Sequence, residues 1–174
     1  MFWLQFISKF IKVLRSGESP PLIAGGFVMG FVVGLTPFLT LQNVVILLLA
    51  FLTKVNLASV FFSIFLFSFV AYIFDPVFHD LGFFLLTQVD ALTSAWIAAY
   101  NWPVAPLTRF NNTVVMGSLT SALVLLFPVY FLFKKGIVAY RAGWAERIEK
   151  SKFMKAFKGN VVVKWYLKVR DLEF

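Results

Sequence analysis

The fold class this sequence predicts is an all-α integral membrane protein, and three observations carry that expectation. First, 60% of the 174 residues are hydrophobic and only 14% are charged, where soluble domains carry about 25% charged residues. Second, Leu22 to Thr53 contains no Asp, Glu, Lys, Arg or His. Third, the basic residues cluster at the two ends: Arg109 is the only Lys or Arg between Lys54 and Lys134, and Asp75, Asp80 and Asp90 lie in that gap. The bias of Lys and Arg toward the cytoplasmic side then puts both termini and Lys54 inside and residues 75–110 outside. There is no cysteine, so disulfides and thiolate metal sites are excluded.

Residues 1–19 read as an interfacial amphipathic helix. Trp3, Phe6, Ile7, Phe10, Val13 and Leu14 recur at helical spacing, opposite Gln5, Ser8, Lys9, Lys12 and Arg15. The order of aromatic and basic residues does not match a cleavable signal peptide. The membrane domain is expected over 20–134. It opens on Ser19-Pro20-Pro21, an N-cap followed by prolines suited to a first turn.

The 22–53 stretch is too long for one span of about 20 residues and too short for two. Pro37 breaks it, because proline has no N–H to donate and clashes with the preceding turn. The expectation is a broken-helix hairpin, either two short spans or a re-entrant pair. Gly26, Gly30 and Gly34 are four apart and form a smooth stripe for close helix packing. Gln42 and Asn43 are polar at membrane depth. They should face the freed carbonyls near Pro37, a cavity or another helix. Pro37, Gln42 and Asn43 are thus the candidate region for a lipid, a substrate or a partner.

Residues 55–74 form a full apolar span. A separate outer interfacial helix is expected over 76–100, with Leu81, Leu85, Leu92, Trp96 and Ala99 opposed to Asp80, Thr87, Asp90 and Ser94. A last span covers 111–133. Its small face, Gly117, Ser118, Ser121 and Ala122, is the expected partner of the glycine stripe. Residues 135–174 form a basic cytoplasmic tail suited to anionic headgroups, in which Val161 to Arg170 fits helix or strand equally.

Chemistry is scarce. The one histidine is His79, with Asp75 and Asp80 nearby. Asp75 and His79 share a helix face, so a polar relay or a weak metal site is open. The structural alternative is a pair of acids at a helix start beside an interfacial imidazole. No nucleophile elbow, phosphate loop or metalloprotease motif occurs. We therefore expect no enzyme, no cofactor, no metal and no nucleic-acid partner.

The run GFVVGLTPFLTLQN, with Gly30, Gly34, Pro37 and Gln42 in fixed register, and the approach SPPLIAG from Ser19 to Gly25 resemble a family of small bacterial inner-membrane proteins known only as a domain of unknown function. The chain is similar to its stand-alone branch over most of residues 17–140. The resemblance implies a bacterial inner-membrane location. It also implies a neighbouring envelope partner similar to the AsmA-type phospholipid-transfer bridges, through a transmembrane helix or a periplasmic domain. The expected function is a non-enzymatic subunit that anchors or feeds such a partner. The alternative is a self-contained transporter, flippase or channel acting as a homo-oligomer.

Overall fold

A computed structural model describes residues 13–14 and 17–144. Among them there are five α-helices and no strand. They are α1 (Pro20–Leu35), α2 (Leu41–Leu52), α3 (Leu57–Thr87), α4 (Asp90–Tyr100) and α5 (Thr113–Ala139), with a 3-10 turn at Ala105–Thr108. Two helical segments, Leu57–Thr87 and Thr113–Gly143, are long and apolar enough to cross a membrane. The chain divides into two compact units, Met1–Lys135 and Gly136–Phe174. Of the second unit, the end of α5 and a π-type turn at Tyr140–Trp144 are described, with Gly143 at φ 119°. Of the helix expected over 1–19, Val13 and Leu14 are helical, residues 17–19 form a bend that is not helical, and the rest lies outside the described residues, as does the tail from residue 145.

α1 starts on Pro20 and Pro21 and stops at Leu35. Thr36 is extended (φ −93°, ψ 148°), as the residue before a proline must be to avoid the ring. The break spans Thr36 to Thr40, wider than a kink at Pro37 alone, and α2 begins at Leu41. α1 is buried on nearly all sides. α2 buries only Asn43 and Ala50.

The glycine stripe packs, but not on the expected partner. An added methyl would strike the Asn56 carbonyl at Gly26, the Val60 carbonyl at Gly30 and the Ile64 carbonyl, 2.8 Å away, at Gly34. Both series ascend together, so α1 runs parallel to the first half of α3. The small residues near 117 are used elsewhere. A methyl on Gly117 would meet the Phe78 carbonyl, and one on Gly82 the Thr113 carbonyl, so α3 and α5 cross antiparallel at a glycine pair. The reason for the difference is chain length. Only four residues (Thr53 to Asn56) separate α2 from α3, and the last of them, Asn56, bonds back to Leu22, which brings α3 directly against α1.

The second correction concerns Pro76. The expected boundary between a span at 55–74 and an interfacial helix at 76–100 does not exist, because α3 runs through Pro76 to Thr87. One missing N–H, opposite the Tyr72 carbonyl, is tolerated where the flanking turns are held. The break falls instead at Gln88 and Val89. There the indole N–H of Trp96 donates to the Leu85 carbonyl at 3.0 Å, one of the carbonyls that a helix end leaves without a partner. The core joins α1, α3 and α5 through Phe31, Val32, Leu35, Phe78 and Ala122. Phe27 stacks on Phe133 with centroids 3.6 Å apart.

Candidate functional site

The break between α1 and α2 is built on Asn43, which is 1% exposed. Its amide nitrogen donates to the Pro37 carbonyl at 3.0 Å and the Phe38 carbonyl at 3.3 Å. Those two acceptors fix the amide's orientation and leave Oδ1 free to accept. The Thr36 hydroxyl lies 2.7 Å from Oδ1 and 2.9 Å from the Val32 carbonyl, and its single proton serves the shorter contact, because an amide oxygen brings no proton of its own. The Val32 carbonyl is served by the Thr36 backbone N–H at 3.2 Å. Asn43 therefore replaces, by side chain, the backbone bonds that the broken helix lacks. Of the three destinations expected for this pair of polar residues, Asn43 takes the carbonyls.

Gln42 does not. Its amide oxygen and nitrogen are both buried and have no partner among the described residues, and the hydroxyls of Thr40 and Ser63 share that condition. Thr40 is the N-cap of α2, yet its side chain caps no N–H. The first turn of α2 thus gathers an idle hydroxyl, an idle amide and the N–H groups that every helix start leaves unpaired. Buried polar groups left in this state lose roughly 1–3 kcal/mol each.

At the other end of α1, Asn56 joins two helices. Its backbone N–H donates to the Leu22 carbonyl at 3.3 Å. Its amide donates to Glu18 at 2.6 Å and its Oδ1 caps Ser59 N–H at 2.7 Å. The Ser59 hydroxyl then donates to the Ile23 carbonyl at 2.8 Å. Asn56 and Thr36 escape a search for titratable groups, because neither carries charge. The cap signal was nonetheless present in the Asn-x-x-Ser spacing ahead of an apolar run.

The relay left open for Asp75, His79 and Asp80 is not assembled. The His79 Nδ1 sits 2.7 Å from the Thr113 hydroxyl at the start of α5. Asp75 and Asp80 make no hydrogen bond or ion pair among the described residues, and no cluster of three metal-ligating side chains occurs among them. Of the packing residues, Gly26, Gly30 and Gly34 lie on α3, Gly117 lies on Phe78 and Gly82, and Ser121 is half-buried. Gly82 and Trp96 belong with them, and helical spacing alone shows Trp96 only as part of an amphipathic face.

A family model described as "Uncharacterized protein conserved in bacteria (DUF2062)" matches residues 5–145. An uncharacterized protein of Treponema pallidum (strain Nichols) is 25% identical over 138 residues, which is 79% of this chain and 85% of that relative. No solved structure matches the chain.

Proposed function

The chain belongs to this family of proteins conserved in bacteria, and from that premise we propose that it is a non-enzymatic, multi-pass subunit of the bacterial inner membrane. In this reading it anchors, or feeds lipid to, an envelope partner of the AsmA-type phospholipid-transfer class. One observation carries the membrane step: large apolar side chains face outward while several polar side chains are buried beside the apolar core. Leu52, Ile73 and Leu132 are 73%, 70% and 74% exposed, while Asn43, Ser59, Ser63 and Ser118 are buried. Such a surface is stable only against hydrocarbon, where nothing is gained by burying Leu and every polar group must be paired internally.

The hairpin fits a re-entrant element. Its helices of 16 and 12 residues rise about 24 Å and 18 Å at 1.5 Å per residue, short of a hydrocarbon core of about 30 Å. The hydrogen bond from Asn56 to Leu22 holds its two ends together, and its tip exposes Phe38 and Leu39. With Lys54 and both termini cytoplasmic, α4 and the Ala105–Thr108 turn lie at the outer interface.

The absence of cysteine makes the test direct. Single cysteines at Lys54, Leu39 and Asp90 are labelled in intact cells with a membrane-impermeant maleimide. Asp90→Cys reacts from outside, Lys54→Cys only after permeabilisation, and Leu39→Cys from neither side. Labelling of Lys54→Cys in intact cells overturns the topology. For the partner, purification in mild detergent should bring down a second envelope protein, and recovery of the chain alone counts against the subunit reading.

The unpaired Thr40 hydroxyl and Gln42 amide favour a second reading, a small transporter or flippase acting as a homo-oligomer. Starts of broken helices at membrane depth hold substrate in several transporter folds. In reconstituted vesicles Gln42→Leu should then abolish lipid or solute movement; unchanged movement rejects this reading.

A further inference from the structure

We propose that the groove between the end of α3, α4 and the loop that leads into α5 binds one anionic phospholipid, with an acyl chain against Trp96 and Phe110 and the phosphate on Arg109. The proposal rests on the membrane placement above. The groove is open, holds about 320 Å³, and is lined by Leu86, Trp96, Ile97, Tyr100, Phe110 and Asn111 among others. That volume is at the low end of small-ligand sites. It suits one hydrocarbon chain and is too small for a partner helix with its side chains.

The site is formed in advance. The Trp96 indole is tied to the Leu85 carbonyl at 3.0 Å and lies 6.0 Å from the Phe110 ring at an interplanar angle of 30°. These two rings make a fixed apolar floor, and indole rings favour the headgroup level of a bilayer.

Arg109 supplies the charge. It is exposed, directly precedes Phe110 and Asn111, and makes no ion pair among the described residues. It is also the one non-glycine residue there with a left-handed backbone (φ 55°). Its N–H donates to the Pro106 carbonyl at 3.0 Å, and its own carbonyl accepts from Asn112 N–H at 2.9 Å. A strained conformation persists only where its surroundings hold it, so the Arg109 backbone is fixed next to Phe110 and Asn111, which line the groove, with its side chain within reach of the groove mouth. An unpaired cation beside an aromatic-lined groove is complementary to an amphiphile with one phosphate and one buried chain.

The test uses the full chain in phosphatidylcholine vesicles doped with phosphatidylglycerol brominated on its acyl chains. One protein keeps Trp96 as its sole tryptophan, with Trp3, Trp102, Trp144 and Trp165 changed to Phe. A second keeps only Trp102, which is exposed and outside the groove. We expect Trp96 to be quenched about five-fold more steeply than Trp102 at low brominated-lipid fraction, the enrichment one basic residue gives near an anionic surface. Arg109→Gln should return the Trp96 curve to that of Trp102. Equal curves in the unaltered background overturn the proposal. So does equal quenching of Trp96 by brominated phosphatidylcholine, which removes the role of charge. If neither tryptophan is quenched by any brominated lipid, the membrane placement itself fails.

Discussion

Asn43 and Gln42 are neighbours of the same chemical type, and the structure gives them opposite positions. Replacing Asn43 with Leu strips the donor from the Pro37 and Phe38 carbonyls and leaves the Thr36 hydroxyl only the Val32 carbonyl at 2.9 Å. We expect a loss of about 2–4 kcal/mol, the sum of partly compensated buried groups at roughly 1–3 kcal/mol each. Reversible unfolding in mixed detergent micelles measures it. Gln42→Leu removes an amide that is already unpaired, so the same measurement should show no loss, or a gain of about 1 kcal/mol. If the two variants destabilise equally, Asn43 is not the clamp. Glycines divide in a similar way. Gly30→Ala drives a methyl onto the Val60 carbonyl, a backbone atom that cannot turn aside, and should destabilise by about 1–3 kcal/mol. Gly136 meets nothing within 4 Å, so Gly136→Ala should stabilise α5 by about 0.5–1 kcal/mol.

At the scale of elements, the two prolines are instructive. Pro37 ends α1, while Pro76 sits inside α3 without ending it. Proline removes one bond wherever it stands, and its neighbours decide whether the helix resumes. Around Pro37, Thr36 and Asn43 offer side-chain partners that make the open form comfortable. Pro76 lies within a helix packed at Phe78 and Gly82 against α5, and resumption buries more than a break would. Pro76→Ala restores the N–H opposite the Tyr72 carbonyl. It should raise stability by up to ~3 kcal/mol with helix content unchanged by circular dichroism; a large change in helix content would show that the proline shapes α3 after all. The end of α3 depends on Trp96. In Trp96→Phe the Leu85 carbonyl loses its donor, and amides of residues 86–100 should exchange about five-fold faster, equivalent to a hydrogen bond of about 1 kcal/mol. Unaltered exchange would assign the junction to ring packing on Phe110 instead.

The whole molecule is governed by solvent. Helices α2, α3 and α5 turn Leu, Phe, Ile and Val outward and keep Asn43, Ser59, Ser63 and Ser118 within. In water this arrangement would forfeit the apolar burial that drives folding. In hydrocarbon it leaves van der Waals packing between small residues as the main attraction. The chain should therefore stay in the membrane pellet through an alkaline carbonate wash and enter solution only with detergent. Release by carbonate alone would mean the outward apolar faces are covered by something other than lipid.

Read from the sequence alone, the helical class, the break at Pro37, the amphipathic face of Leu92, Trp96 and Ala99, and the packing role of Gly26, Gly30 and Gly34 were all legible. Each is a local matter: a period, a missing N–H or an absent Cβ, written within a few residues. The partner of the glycine stripe, the continuity of α3 through Pro76, the pairing of Asn43 with Thr36 and the packing of Trp96 on Phe110 were decided by tertiary structure. Each depends on which of several chemically equivalent surfaces comes within contact distance. That choice follows from short connections, as between Thr53 and Leu57, and from how well whole faces fit, neither of which a window of sequence contains.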